Sequence, residues 1–299
     1  MATYPSAGQG LECGLDSPPE CGVPRDAKIE FRFDRFLLPS TAVRQAFRIY
    51  TGSEDLSFTT QPEYDLVERV VTFSLPNGAL FQPGVRYSVE LFVPASDDAG
   101  GFRAFDDAPL AEGDVPLTFD FRTQQIEPPA APPDPAPWTC DQVVDVFGGS
   151  TPAWSAGTCH SGRNARMGLR LESRAALIQT AIGEVAHQTM VGSKASAVLS
   201  NPPRMGVQMA RIHAGQPENS YLLYKLIRNP NIYRDPSGVG CTTVHEVPLP
   251  AGTCPEPSEE ESQRLADYFV RGLPMPRNSH VVDVRGLQRW IKSGAPCAE

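Results

Sequence analysis

Over residues 127–137 the chain reads EPPAAPPDPAP, and no other feature constrains the fold as much. Proline lacks a backbone N–H and fixes φ, so this run can neither continue a helix nor sit inside a sheet ladder, and it predicts a semi-rigid extended spacer. A domain boundary belongs here, and 299 residues suffice for a separate core on each side of it. The sequence therefore reads as a first domain over 1–125, a linker over 126–138 and a second domain over 139–299.

The two flanks differ in period. Before the linker, Ile29, Phe31 and Phe33 alternate with Lys28, Glu30 and Arg32, so the apolar set lines one face of a strand and the polar set a solvent face. Val71, Phe73 and Leu75 repeat the alternation, as do Tyr87, Val89, Leu91 and Val93, and then Leu117, Phe119 and Phe121. Turn signals at Pro76-Asn77-Gly78 and Pro83-Gly84 separate these runs, which predicts an antiparallel sandwich of about seven strands. After Trp138 the period becomes helical. Val143, Val144 and Phe147 form one stripe, and Ser173 caps a helix carrying Leu177, Ile178, Ile182 and Val185. Leu222, Leu223 and Leu226 mark a helix stopped near Asn229-Pro230, Ser258 and Glu261 form a capping box, and Val284, Leu287, Trp290 and Ile291 mark a last helix before Gly294.

A net charge of −9 removes the basic footprint that nucleic-acid binding needs. No apolar run approaches the length of a membrane-spanning helix, and 30 prolines fit a loop-rich exported protein. Cys13 with Cys21 and Cys241 with Cys254 have the spacing of local disulfide clasps, which places the chain in an oxidising compartment: periplasmic, attached to an outer membrane, or extracellular. No signal sequence precedes Cys13, so the expectation is that export information was trimmed and that Met1 is an added start, with a lipid anchor upstream as a further option. Asp97, Asp98, Asp106 and Asp107 read as loop acids, a calcium site being the weaker alternative.

Chemistry concentrates at residues 156–160, AGTCH. A c-type haem site needs a cysteine thioether to a haem vinyl group and an adjacent histidine for the iron, usually as C-x-x-C-H; here Ala156 stands at the first cysteine position. The rival reading makes Cys159 half of a disulfide and His160 a surface residue. Downstream, GLPMP over 272–276 fixes the backbone around Met275 with prolines on both sides.

These residues carry two resemblances. VPRDAKI over 23–29, leading into FRFD over 31–34, with FRT over 121–123, resembles the Ig-like domains of bacterial secreted and surface proteins. AGTCH, GQPENSYLLYKL over 215–226, GLPMP and the terminal WIKSGAP over 290–296 resemble cytochrome c-like domains of exported bacterial proteins. Together they imply a two-domain chain, an all-β Ig-like sandwich plus a mostly α cytochrome c-like domain. Carried over by position, Cys159 is the single thioether attachment of haem c, His160 the proximal iron ligand and Met275 the distal one. Ala156 and the long stretch between His160 and Met275 depart from that pattern. The implied function is one-electron transfer rather than enzyme catalysis, with the Ig-like module for display or partner binding. The redox partner is unidentified, and the negative net charge favours a basic one. The alternative is a haem-free surface interaction protein with a degenerate cytochrome-like domain.

Cysteine parity bears on the choice. Pairing Cys13 with Cys21, Cys241 with Cys254 and Cys140 with Cys297 leaves Cys159 for haem, whereas pairing Cys140 with Cys159 leaves Cys297 odd. His187, His213, His245 and His280 form no spaced ligand pair and read as surface or structural residues. His213, His280, Met205 and Met209 remain alternatives to Met275. No catalytic Ser-His-Asp order, phosphate loop or nucleophile elbow is present in the sequence.

Overall fold

The computed structural model describes the chain except residues 15, 94–99, 112–116, 131, 149–159, 164, 187–204, 235–240, 242, 250–252, 276–282 and 298–299. The chain forms two compact units: Met1–Pro133 with Val244–Gly252, and Asp134–Thr243 with Thr253–Glu299. The main division falls in the proline run. A short stretch far downstream thus belongs to the first unit.

Unit 1 contains the strands β1 (Ala2–Tyr4), β2 (Ile29–Arg32), β3 (Phe47–Thr51), β4 (Glu54–Asp55), β5 (Gln61–Asp65), β6 (Val70–Ser74), β7 (Arg86–Leu91) and β8 (Thr118–Arg122). They form two antiparallel sheets in the orders β1-β2-β6-β5 and β4-β3-β7-β8. Alternate residues point inward from each sheet, so Phe31 and Phe73 of one meet Phe47 of the other at ring-centroid distances of 6.2 and 3.6 Å. Phe119 and Phe102 pack on Phe31 as well, and all five rings are buried. Burial of such rings is the main driving force of this unit, each contributing roughly 2–3 kcal/mol by area.

The expected solvent face of β2 is not one. Glu30 and Arg32 are 3% and 6% exposed, as enclosed as the Ile29 and Phe31 beside them. The cover is the Val244–Gly252 stretch, whose Val247 carbonyl accepts a hydrogen bond from Arg32 at 3.3 Å.

Unit 2 corrects the expected fold class. Among the described residues it has five α-helices, α1 (Cys140–Gly148), α2 (Arg174–Thr180), α3 (Tyr221–Ile227), α4 (Glu259–Tyr268) and α5 (Val284–Lys292), of which the longest has 10 residues. Single 3-10 turns and isolated bridges, Ile182 with Ile212, Val185 with Ala210 and Arg234 with Cys241, join them. The Ig-like sandwich plus mostly α cytochrome c-like domain is therefore overturned as a description of the chain: it carries two four-stranded sheets, and the five short helices leave most of the described residues of the second unit outside α-helix. The physical reason lies in how short the apolar stripes are. Leu222, Leu223 and Leu226 support two turns of helix before Asn229 and Pro230 end it, and Ile182 and Val185, read as helical, sit in bridges beyond the end of α2.

The helices at Ser173 and Ser258 have the expected starts, and the last helix has one at Asp283 that the sequence reading did not name. Ser173 Oγ accepts from the Ala176 N–H at 3.2 Å, Ser258 Oγ from the Glu261 N–H at 3.1 Å, and Asp283 Oδ1 from the Gly286 N–H at 3.0 Å. Three disulfides are present: Cys13–Cys21, Cys241–Cys254, and Cys140–Cys297, which ties the first residue of α1 to the end of the chain. The last closes a loop spanning 157 residues, the kind of crosslink that restricts an unfolded chain most. No described helix is long and apolar enough to cross a membrane.

Gly286 of α5 lies directly under the Trp138 indole, and a Cβ there would overlap the ring. In an open helix, Gly→Ala adds about 1 kcal/mol of stability. Here Gly286→Ala is expected instead to displace the indole, redden the tryptophan emission and lower the unfolding midpoint of unit 2 by overpacking, typically 1–3 kcal/mol. Trp138, Trp154 and Trp290 all belong to unit 2, so emission reports on that unit alone. An unchanged emission maximum with a higher midpoint would contradict this packing.

Candidate functional site

His160 is the first described residue after the AGTC segment; Ala156 and Cys159 lie outside the described residues. Its carbonyl accepts from the Leu171 N–H at 2.9 Å, and its imidazole Nδ1 lies 3.2 Å from the Leu169 carbonyl. A carbonyl only accepts, so Nδ1 carries the proton and Nε2 keeps its lone pair. Between these contacts the chain makes a 3-10 turn over Arg166–Gly168, with Met167 and Gly168 at left-handed φ of 57° and 67°. The Arg211 guanidinium holds that turn by donating to the Met167 carbonyl at 2.6 Å, the Gly168 carbonyl at 3.3 Å and the Thr180 carbonyl. Irregular backbone needs such donors, and arginine offers several from one side chain.

The electrostatics keep the imidazole neutral. Burial depresses its proton affinity most, the Leu169 hydrogen bond opposes that, and the charges of Arg166 and Arg211 depress it further. A neutral imidazole with Nδ1 bonded to a backbone carbonyl and Nε2 available is the state in which histidine ligates a metal. The three disulfides also use six of the seven cysteines, so Cys159, the neighbour of His160, is the one they leave over.

Met275 is anchored elsewhere. Its N–H donates to the Lys225 carbonyl at 3.2 Å, and just before it Arg228 donates to the Val270 and Gly272 carbonyls at 2.8 Å each, while Lys225 donates to that of Arg271. The loop is thus pinned to the C-terminal end of α3. No hydrogen bond or ion pair joins Met275 to His160 among the described residues. Of the alternatives, Met205 and Met209 are buried, His213 Nδ1 lies 3.3 Å from the Ala214 carbonyl, and His187 and His280 fall outside the described residues. Asp106 pairs with Arg35 at 2.9 Å, as a loop acid does, and Asp97 and Asp98 are not described.

A second cluster, missed in the sequence, is built in unit 1. His245 Nδ1 lies 2.9 Å from Glu30 Oε1 and its Nε2 2.7 Å from Asp65 Oδ2. Glu30 Oε2 also accepts from the Glu246 and Val247 N–H groups at 2.9 and 3.1 Å. Glu68 accepts from the Val244 N–H at 2.9 Å through Oε1 and from Arg32 at 3.0 Å through Oε2. Asp65, Glu68 and His245 are close enough together to surround a cation. Both ring nitrogens, however, face carboxylates, so His245 is held as an imidazolium with no lone pair to give, and the cluster is a clamp rather than a metal centre. Burial alone would lower the His245 pKa; the hydrogen bonds it donates to Asp65 and Glu30, with their charges, outweigh it and raise the pKa to about 9.

A raised pKa gives stability that is complete below the ordinary value of 6.5 and is lost as pH rises to about 9, because the folded state keeps a proton that the unfolded state releases. Unit 1 is therefore expected to weaken between these limits by on the order of 3 kcal/mol. Urea unfolding followed by far-UV dichroism at several pH values checks this. His245→Ala is expected to flatten that slope and to destabilise unit 1 at pH 6 by roughly 3 kcal/mol, since it leaves buried carboxylates without their cation. An unaltered slope in the variant would assign the effect to another group.

Comparison of the chain with protein-family models, with curated proteins and with solved structures finds no match in any of the three.

Proposed function

We propose that the chain is an exported protein whose second unit carries one c-type haem, attached through Cys159 and ligated by His160 Nε2, and that it transfers single electrons, with the β-sheet unit serving display or partner binding. The observation that carries this reading is the Nδ1 hydrogen bond of His160 to the Leu169 carbonyl, which orients a neutral imidazole on the residue that follows, in sequence, the cysteine the disulfides leave over. Three disulfides support an oxidising compartment, where a spare thiol would otherwise be exposed to oxidation.

The donor set fits such a group. An imidazole nitrogen and a thiolate-derived thioether are what c-type attachment takes, and the Met275 sulfur would be a further donor of a type such a group takes. A bound haem would supply a ferric–ferrous couple there. The protein's own part is positional. The Leu169 carbonyl draws on the Nδ1 proton and so makes Nε2 a better donor; Arg211 keeps the Met167 and Gly168 carbonyls in place and thereby fixes Leu169. Arg228 and Lys225 fix the backbone leading to Met275 in the same manner.

Haem staining after denaturing electrophoresis of natively exported protein tests the proposal. The wild type is expected to stain and Cys159→Ala to lose the stain while keeping its dichroism, because Ala156 offers no second thioether. Met275→Ala is expected to keep the stain and lower the reduction potential, since methionine opposite histidine favours the ferrous form. A wild-type protein without covalent haem overturns the proposal in favour of a haem-free interaction protein, and an unchanged potential in Met275→Ala removes Met275 from the site.

A further inference from the structure

Charge is distributed unevenly along the chain. Residues 149–217 hold seven Lys and Arg against two acids, Glu172 and Glu184, in a protein whose net charge is −9. Glu172 is taken up by Arg170 at 2.8 Å, and Arg174 is matched by Asp141 at 2.6 Å. Glu184 is exposed and near Arg211. Arg163 and Arg166 are exposed, and their side chains make no hydrogen bond or ion pair among the described residues. Both lie on the loop that runs from His160 to Leu169, and the charges of Arg166 and Arg211 reach the imidazole. The field at His160 is therefore positive although the molecule is negative.

We infer that the loop face formed by Arg163, Arg166 and Arg211 around His160 docks the acidic surface of a partner protein. This reverses the basic partner that net charge alone suggests. Long-range steering follows the whole charge distribution, but a docked pair is separated by a few ångströms, well inside the screening length, so the local sign decides orientation. Outside residues 149–217 the chain holds 19 Lys and Arg against 33 acids, a balance that disfavours acidic partners there. Arg211 is committed to loop carbonyls and adds a fixed charge, whereas Arg163 and Arg166 are free to reach a carboxylate. That the partner exchanges electrons rests on the haem reading above; the docking does not.

Titration of the full-length protein with poly-L-glutamate tests the inference, with the His160 ring protons followed by NMR and affinity measured at low and physiological ionic strength. Saturable binding that shifts the His160 signals and weakens with salt is expected. Arg163→Glu combined with Arg166→Glu is expected to weaken binding at least tenfold without altering tryptophan emission, because neither side chain supports the fold. Lys28→Glu, an exposed charge of unit 1, is expected to leave binding unchanged. Absence of binding, equal loss in Lys28→Glu, or tighter binding of oligothymidylate than of polyglutamate at the same salt would each overturn it. Haem staining of the same wild-type protein separates the two proposals: binding in a wild type that carries no haem leaves docking standing, and a haem-bearing wild type that ignores polyglutamate sinks docking alone.

Discussion

Glu30, Asp65 and Glu68 bring three carboxylates to positions that are 3%, 7% and 0% exposed, and unit 1 depends on how these charges are satisfied. Taking a carboxylate out of water costs several kcal/mol unless a cation and N–H donors replace the hydration. Arg32 supplies one cation from the same sheet, and His245 supplies the other together with the backbone of residues 244, 246 and 247. The clamp is selective as well as stabilising. Only a protonated imidazole between two acceptors completes it, so a neutral side chain of similar size leaves acceptors without donors.

Much of unit 1 was legible because alternation is a local signal. The runs around Phe31, Phe73, Val89 and Phe119 became β2, β6, β7 and β8, and their inward faces are the aromatic core. The strand at Phe47–Thr51 carries the same signal in Phe47 and Ile49 but is short and follows a 3-10 turn. What the pattern misassigned was the outer face of β2, where Glu30 and Arg32 read as solvated. Their cover comes from a stretch more than two hundred residues away, and no local period encodes a contact of that separation. In unit 2 the caps at Ser173 and Ser258 were legible, since each is decided within four residues, while the extent of helix was overread from apolar pairs that bridges and turns also use. The disulfides were constrained by spacing and parity, with one rival pairing left open. The Leu169 acceptor on His160 was not legible, because a backbone carbonyl has no sequence signature.

Long cationic side chains hold irregular backbone in both units; in unit 1 Arg25 donates to the Phe81 carbonyl and Arg69 to that of Phe33. Where sheets satisfy N–H and C=O groups in ladders, the loops of unit 2 have carbonyls without ladder partners, and long cationic side chains reach them: Arg211 to residues 167, 168 and 180, Arg228 to 270 and 272, Lys225 to 271. Both loops that bear the sequence-derived ligands, His160 and Met275, are held in this way. At the His160 loop the supporting cation, Arg211, also brings its positive charge to bear on the imidazole. Backbone support and local field thus come there from the same residue, and a segment poor in acids becomes basic as a by-product of being irregular.

The downstream location of His245 fixes an order of events during biosynthesis. A ribosome that has completed the proline run has made both sheets of unit 1 but not the residues that cover them, and Val247 appears only after the first four-fifths of the chain. Unit 1 is the first to begin emerging, yet it is completed only after much of unit 2 has been made. Until then Glu30 and Asp65 lack the His245 imidazolium, while Glu68 already has Arg32, and the nascent sheet has an open acidic face that keeps it hydrated and disfavours association with its own kind. A gene cut at residue 133 would encode that immature state permanently.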